Sequence, residues 1–405
     1  MEAAELAAVG RRLAERSGAR PPAVWDLRIG EDDLGGDPAG DPAGLRHVQH
    51  LALMRAYQAR YMLLPSAAPE GSVVARLQRH YDAGEMARLE RVRHGLEAEL
   101  VAPLAAAARA EAARRDWRAY AQALLGEVRS QPQNAFVAYL RASPNREAQY
   151  RNFLVQSSPD LLAEASASAL GVVGEFGAPQ SALFRILIDE FGYGAHGKKH
   201  SVLFRAVMRG FGLSDEYNAC WPLFDTAALE LHNLIHHLFQ NPANFFLQVG
   251  FLLYAETAYQ RSTQDHFRYL REFHPEVDAR YFGEHAHIDL HHTAMVVDEV
   301  ADPLVAAYGA EVGGEIVAGA ELTRMAFETA GAHMLATARA LDGAVAAGEA
   351  SPVAPDLARL GAGVTPGGAG ALDPDEPLQV GGFGTVNAGA FSAFPQGCYG
   401  RRLVP

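Results

Sequence analysis

Residues Glu284–Val300 read EHAHIDLHHTAMVVDEV, a helix-length segment with four histidines and several carboxylates but neither glycine nor proline. At about 100° per residue, an α-helix places His285, Asp289 and His292 within a stripe of roughly 60°. The stripe continues to Val296, an apolar residue, so we expect it to face the protein interior. The segment therefore predicts a helix that carries two imidazoles and a carboxylate into the core.

Buried imidazoles and carboxylates need a compensating interaction. A metal ion supplies it directly, and a core cluster joined by hydrogen bonds is the alternative. His287 and His291 point to roughly the opposite side of the same helix, so we expect neither of them to take part in such a site.

Two further helices carry acids on an apolar face. In SALFRILIDEF, Glu190 continues the apolar stripe, whereas Asp189 lies four residues after Arg185 and is predicted to form an exposed ion pair with it. In NFFLQVGFLLYAETAY, Glu256 extends the apolar stripe. An acid in such a position needs a cation, a proton or several hydrogen-bond donors.

His200 and Glu164 are the remaining inward candidates. His200 follows Glu190 by ten residues, but FGYGAHG between them breaks the helix, so the chain can turn back and direct both side chains to one point. The sequence Ser158-Pro159-Asp160 predicts the start of a helix, DLLAEASASALGVVGEF, that carries Glu164. The two glycines of this helix predict low local stability.

Four acids and three histidines are thus candidate metal ligands: Glu164, Glu190, His200, Glu256, His285, Asp289 and His292. Such a mixture suits iron or manganese, and it matches the inventory of a carboxylate-bridged di-iron site in a helical bundle. His232 and His236 also lie at helical spacing, but they flank an apolar stripe and are predicted to be core or pocket-lining histidines. GxSxG and HExxH motifs are absent, so hydrolase classes lack support.

The chain divides into three parts by composition. Residues 134–345 show no sustained period-two alternation, which predicts an all-α main domain. Residues 1–133 form a helical N-terminal scaffold that we expect to mediate dimerisation, and residues 346–405 form a Gly/Pro-rich linker and short tail. The dispersed histidines of the N-terminal part are predicted to be surface or structural residues.

Helix boundaries follow from the apolar periodicity and the position of breakers. In the N-terminal part we expect a short helix over residues 1–17, a helix over Arg46–Leu64, and a helical block over Ser72–Arg129 with breaks near Pro103 and Asp116. In the main domain, further helices are predicted at about residues 221–239, 244–259, 284–308 and 311–341.

Composition excludes several classes of function. The net charge of -13 argues against nucleic acid or an anionic membrane as a partner. The two cysteines, Cys220 and Cys398, lie far apart and form no zinc or disulfide framework. Neither a secretory signal nor an apolar run long enough to span a bilayer is present, so we expect a soluble cytoplasmic protein.

The candidate ligands, in this order and approximate spacing, resemble the ligand set of the haem-oxygenase-like di-iron oxygenases. The resemblance rests on four features of the sequence: Glu164, the segment IDEFGYGAHGKKHSVLF with Glu190 and His200, Glu256, and the motif H285-x3-D289-x2-H292. The resemblance covers roughly residues 134–345 and implies a haem-oxygenase-like helical bundle. It implies one iron held by Glu190, Glu256, His200 and His292, and a second held by Glu164, His285 and Asp289, with Glu190 as a candidate bridge.

The resemblance also implies a function. It indicates two Fe(2+) ions per chain, O2 as co-substrate, and N-oxygenation of an amine or guanidine nitrogen of an amino-acid-like substrate in specialised metabolism. The chain has no flavin or nicotinamide motif, so we expect an external electron donor or reductase. The alternatives are oxidative C–C cleavage or decarboxylation of an amino or fatty acid at the same site, a non-catalytic haem or small-molecule binder, and an iron-storage or structural protein.

One departure from the family concerns the tail. A member of the family ends in a metal-binding cupin domain with a histidine cluster, whereas the tail from Gly343 onward contains no histidine. We therefore expect no second metal centre in that part of the chain.

Overall fold

The computed structural model of the protein describes residues 42–64, 72–112 and 115–348. Every regular element in these ranges is helical, so the predicted all-α fold class is confirmed. The helix predicted for residues 1–17 and the tail predicted beyond residue 348 lie outside the described residues.

The α-helices are numbered in chain order. They are α1 (Pro42–Gln58), α2 (Val73–His80), α3 (Ala83–Leu96), α4 (Ala102–Ala112), α5 (Trp117–Ser130), α6 (Ala135–Ala142), α7 (Arg146–Leu161), α8 (Ser166–Gly171), α9 (Ala178–Glu190), α10 (His200–Gly210), α11 (Thr226–Gln240), α12 (Phe245–Phe273), α13 (Arg280–Met295), α14 (Asp302–Tyr308) and α15 (Ala310–Ala346). Short 3-10 turns lie at Gly192–Gly194, His196–Lys198, Trp221–Leu223 and Pro242–Asn244.

Helix α12 is the centre of the bundle, and it packs along both α13 and α15. Gly250 of α12 and Gly319 of α15 bring two of these backbones into direct contact. A Cβ at Gly250 would overlap the carbonyl oxygen of Ile316, and a Cβ at Gly319 would overlap that of Leu247. The absence of side chains at these two positions therefore sets the distance between the helices.

One hydrophobic core joins the N-terminal helices to the main domain. Leu53 and Tyr57 of α1 belong to the same buried cluster as Val249 of α12 and Ile316 of α15, and all four are fully buried. Helix α1 packs on α11, and α4 packs on α15. Within the described residues, no helix combines the length and the hydrophobicity that a bilayer-spanning segment requires.

The predicted break near Pro103 is a widened turn instead of a helix end. Glu97–Val101 is π-helical, and the chain continues directly into α4. A π-helical turn followed by a proline occurs a second time, at Val296–Ala301, which leads into α14 with Pro303 in its first turn. Because a proline ring clashes with the carbonyl four residues earlier, an i→i+5 turn just before it relieves that contact. The predicted break near Asp116 is present, with the Asp116 side chain capping α5.

The helix start predicted at Ser158-Pro159-Asp160 is wrong. Pro159 lies inside α7, in its last turn, and the Ser158 hydroxyl donates to the Val155 carbonyl at 2.7 Å instead of capping a new helix. Beyond Leu161 the chain leaves the helix, and Ala165 adopts a left-handed conformation with φ 63°. Glu164 therefore lies in an irregular turn between α7 and the short α8.

Candidate metal centre

Helix α13 presents its polar residues as the sequence predicts. His285, Asp289 and His292 are buried on one face of α13. His287 and His291 lie partly exposed on the other face, with their ring centroids 5.8 Å apart. The spacing of the five side chains along one helix thus separates an interior polar stripe from a surface pair.

The first group of potential ligands combines four elements of the fold. Glu164, Glu190, His200 and His285 each place one ligand atom within 4.8 Å of the others. Nδ1 of His200 lies 2.8 Å from Oε2 of Glu190, and Nε2 of His285 lies 3.3 Å from Oε1 of Glu164. One cation can therefore be reached by two carboxylates and two imidazoles.

The second group shares a member with the first. Glu190, Asp289 and His292 also place ligand atoms within 4.8 Å of one another. Nδ1 of His292 lies 3.6 Å from Oε1 of Glu190 and 3.1 Å from Oε2 of Glu256. Glu190 directs Oε2 to the first group and Oε1 to the second, which is the arrangement of a carboxylate that bridges two cations.

The seven predicted residues thus lie together, but their grouping differs from the one implied by the family resemblance. His200 lies with Glu164 and His285, and not with Glu256 and His292. Oδ1 of Asp289 lies between the groups, 3.2 Å from Nδ1 of His285 and 3.8 Å from Nδ1 of His292.

The buried donor atoms of this cluster fit metal ions better than a hydrogen-bonded polar core. Oε2 of Glu164 and Oδ2 of Asp289 are buried without a hydrogen-bond partner, and Oε2 of Glu190 has only the Nδ1 atom of His200 beside it, at 2.8 Å. Each such orphan costs about 1–3 kcal/mol in a folded protein unless another partner is present. Oxygen and nitrogen donors in this ratio suit iron or manganese, so the residues fit a pair of such ions.

A glycine turn brings His200 to Glu190. Glu190 is the last residue of α9 and His200 the first of α10, and the residues between them include Gly192, Tyr193 and Gly194 with φ of 62°, 56° and 78°. A Cβ at Gly192 would overlap the backbone of Lys198. The left-handed backbone and this close approach reverse the chain over a short distance, as the sequence predicts.

Two further side chains hold the ligands in place. Tyr281 is fully buried and donates its hydroxyl hydrogen to Oε1 of Glu164 at 2.8 Å. Oδ2 of Asp189 lies 3.1 Å from Nε2 of His292. A partner on one imidazole nitrogen fixes the ring so that the other nitrogen can face a metal.

The prediction of an exposed ion pair for Asp189 is wrong. Asp189 is only 3% exposed, and Arg185 pairs with Glu299 instead. The signal was available in the sequence, because Asp189 follows the buried Ile186 by three residues and so lies on the same side of α9. The i, i+4 spacing from Arg185 was the weaker indicator.

Burial and neighbouring charges shift the pKa values of several groups in the cluster. Burial raises the pKa of Glu256 to about 7. Burial also opposes ionisation of Glu190, but His200 and the other imidazoles outweigh it and bring the pKa of Glu190 to about 2. Burial disfavours the charged form of His285, yet Asp289 and Glu164 hold the pKa of that imidazole well above its usual range. Metal binding would replace the protons that balance these carboxylates.

A cavity of about 110 Å³ adjoins the metal centre. The metal-side wall contains Glu164, Glu256 and Asp289, and apolar side chains form most of the remainder. At another part of the wall lie Tyr61 and His236, so the chain segment after α1 contributes to this cavity. His232 and His236 are buried, in agreement with the prediction that they are core or pocket-lining residues.

Comparisons with known proteins agree with this geometry. Residues 151–328 match the family model described as iron-containing redox enzyme, a range that includes all seven predicted ligands. The chain is also 40% identical over 187 residues to a nitrosourea synthase from Streptomyces achromogenes subsp. streptozoticus. That match covers 46% of this chain and 40% of the relative, so the chain spans less than half of the relative's length. Over residues 151–328 the chain is therefore similar to the iron-containing redox enzymes, and its helical fold is haem-oxygenase-like.

Proposed function

We propose that this protein is an O2-dependent non-haem di-iron oxygenase of specialised metabolism that N-oxygenates an amine or guanidine nitrogen of an amino-acid-like substrate. The observation that carries the proposal is the pair of ligand groups that share Glu190 beside a largely apolar cavity. The match to the iron-containing redox enzyme family supports it.

The residues around the cavity suit such a reaction. Two ferrous ions, when bound, supply the electrons with which O2 is reduced and oxygen is transferred. The apolar side chains of Leu183, Ile186, Leu252 and Phe239 line the space next to the ligands and exclude bulk water from it. Tyr281 holds the Glu164 carboxylate, and Asp189 holds the His292 ring, so both ligands keep their orientation while a substrate enters.

The proposal includes partners. The oxidised irons have to be reduced after each turnover, so we propose an external electron donor or reductase, and we propose a homodimer assembled through the N-terminal helices. Nitrosourea formation is not part of the proposal, because the match covers only 40% of the length of the nitrosourea synthase.

Anaerobic loading followed by exposure to O2 tests the proposal. Protein stripped of metal is titrated with ferrous iron under argon, mixed with O2 in a stopped-flow instrument, and followed by visible absorption and iron analysis, with and without arginine-like amines as substrates. We expect about two irons per chain and an O2-dependent absorption transient. A stoichiometry of one or none, with no transient under either condition, would contradict a di-iron oxygenase.

A further inference from the structure

Asp160 lies in the cavity wall apart from the candidate ligands. It belongs to the last turn of α7, its side chain is 19% exposed, and Oδ1 lies 2.6 Å from Nδ1 of the fully buried His232. His236 and Tyr61 line the cavity with it. The hydrogen bonds of His232 and His236 determine what surrounds the Asp160 carboxyl group.

Hydrogen bonds occupy both ring nitrogens of His232. Its Nε2 lies 3.3 Å from Nε2 of Gln58, and the amide oxygen of Gln58 accepts a hydrogen bond from Nδ2 of Asn218 at 2.7 Å. With its oxygen held by Asn218, the Gln58 amide presents its nitrogen to His232, and an amide nitrogen can only donate. Nε2 of His232 is therefore the acceptor, and the ring proton is on Nδ1, where it is donated to Asp160.

His236 is a neutral imidazole. Its Nδ1 lies 2.9 Å from the carbonyl oxygen of His232, which can only accept, so Nδ1 carries the proton. Nε2 of His236 accepts from the Tyr61 hydroxyl at 2.6 Å. Burial and the neighbouring His232 hold the pKa of His236 well below its usual range.

These bonds exclude a third metal at this position. Asp160, His232 and His236 place potential ligand atoms within 4.8 Å of one another. The unprotonated nitrogen of each histidine, however, already accepts a hydrogen bond, from Gln58 and from Tyr61 respectively. No lone pair of either imidazole is free to bind a cation.

The Asp160 carboxyl group therefore lies in the cavity wall without a lysine or arginine beside it. Nε2 of His232 and Nε2 of His236 face the Gln58 amide nitrogen and the Tyr61 hydroxyl, and the cavity wall, whose residues all lie in the described part of the chain, contains no lysine or arginine. The carboxylates of the metal centre lie around the candidate metal positions, whereas Asp160 lies outside both of those ligand groups. A carboxylate in a partly desolvated wall is stabilised most by a charged donor that enters the cavity.

We propose that Asp160 is the specificity-determining carboxylate that binds a cationic nitrogen group, ammonium or guanidinium, of the substrate. The inference rests on the proposed function in placing the substrate in the cavity beside the metal centre. It assigns the substrate to the class of organic cations and gives Asp160 a recognition role separate from metal binding.

Calorimetry with a charged probe and its neutral isostere tests this assignment. The ferrous protein is kept under argon and titrated with n-butylguanidinium and with n-butylurea, which has nearly the same shape but no charge. We expect the wild type to bind the guanidinium at least tenfold more tightly. Asp160→Asn should abolish that preference, because its Oδ1 can still accept from His232 while the charge is lost. Asp215→Asn, which removes a partly exposed acid that pairs with Arg209 outside the cavity wall, should leave the preference unchanged.

Several outcomes would overturn the assignment. They are failure of the wild type to bind n-butylguanidinium, equal binding of both probes to the wild type, and an unchanged preference in Asp160→Asn. Iron content and the thermal unfolding midpoint establish that Asp160→Asn is folded, and Asp160→Glu, which keeps the charge, should recover part of the preference. Because binding is measured without O2, an Asp160-dependent preference in a protein that shows no O2-dependent transient would refute the oxygenase and not the cation site.

Discussion

His292 is a buried side chain whose two ring nitrogens both face carboxylates. Its Nε2 faces Oδ2 of Asp189 at 3.1 Å, and its Nδ1 faces Oε2 of Glu256 at 3.1 Å. A carboxylate on one ring nitrogen fixes the tautomer and raises the basicity of the other nitrogen. If His292 is a metal ligand, Asp189 would be a positioning residue that acts on the metal through the imidazole.

Replacing Asp189 by Asn should weaken metal binding without removing a ligand. The amide keeps the shape of the carboxylate but loses its charge, so we expect a loss of about 10–100-fold in affinity for ferrous iron. Anaerobic competition with a chromogenic chelator measures the affinity, and the absorption spectrum of the cobalt-substituted protein reports the ligand field. Asp298→Asn, at an exposed acid, is the control. Equal affinities in the two variants would show that Asp189 has no positioning role.

The two faces of α13 give a second residue-scale prediction. Loss of the buried His285 or Asp289, as in His285→Ala and Asp289→Ala, should remove about one iron per chain and the O2-dependent absorption, because each removes a ligand atom. His287→Ala and His291→Ala change partly exposed residues on the other face and should keep both properties close to wild type. Iron analysis and stopped-flow absorption check all four variants, and similar losses in all of them would contradict the assignment.

At the scale of helices, hydrophobic periodicity predicted a helix only as far as its apolar stripe extends. The predicted helix over residues 244–259 is real, but α12 continues to Phe273. In the second half of α12, the polar residues Asp265 and His266 are buried. Because polar residues occupy core positions there, the sequence shows no continuous apolar stripe that would indicate a helix. Pro159 was misread for a related reason, because a proline near a helix C-terminus resembles one that starts a new helix.

The contact between α12 and α15 gives an element-scale prediction with a control in the same helix. Gly319→Ala should lower the free energy of unfolding by about 3 kcal/mol, because the new methyl group meets the Leu247 backbone, which cannot move aside as a side chain would. Gly331→Ala, an exposed position of α15 with open space around it, should raise the free energy of unfolding by up to about 1 kcal/mol. Urea unfolding followed by circular dichroism measures both, and equal effects would mean that the helices do not approach closely.

At the scale of the whole molecule, the sequence could predict which side chains enter the site but not how they group. Helical phase is a local property, and it placed Glu190, Glu256 and the α13 stripe in the interior. The pairing of His200 with His285 depends on the glycine turn and on the packing of α10 against α13, which are tertiary properties. The cluster of Asp160, His232 and His236 also includes Tyr61, which lies about a hundred residues before Asp160 in the chain. The periodicity of a single helix could not indicate a contact over that distance.

Buried histidines make the stability of the folded protein depend on pH. Burial lowers the pKa of His47 to about 4, that of His50 to about 3 and that of His266 to about 3. These residues lie in α1 and α12, so both the N-terminal helices and the main domain contain one or more of them. Each folded-state pKa lies below the unfolded value of about 6.5. Protonation therefore favours the unfolded chain, and stability is lost as pH falls below about 6.5.

His266 isolates this effect for one residue. Its ring stacks between Phe153 and Phe282, at centroid distances of 4.5 and 5.1 Å, so His266→Phe keeps an aromatic ring there but cannot be protonated. Between pH 7 and pH 5 the wild type should lose about 2 kcal/mol of unfolding free energy that the variant does not lose. Chemical unfolding with a chelator present measures this, because the metal ligands then titrate alike in both proteins and cancel in the comparison. His94→Phe, at a side chain that is 61% exposed, should follow the wild type. Parallel pH profiles for the wild type and His266→Phe would show that His266 does not remain neutral in the folded protein.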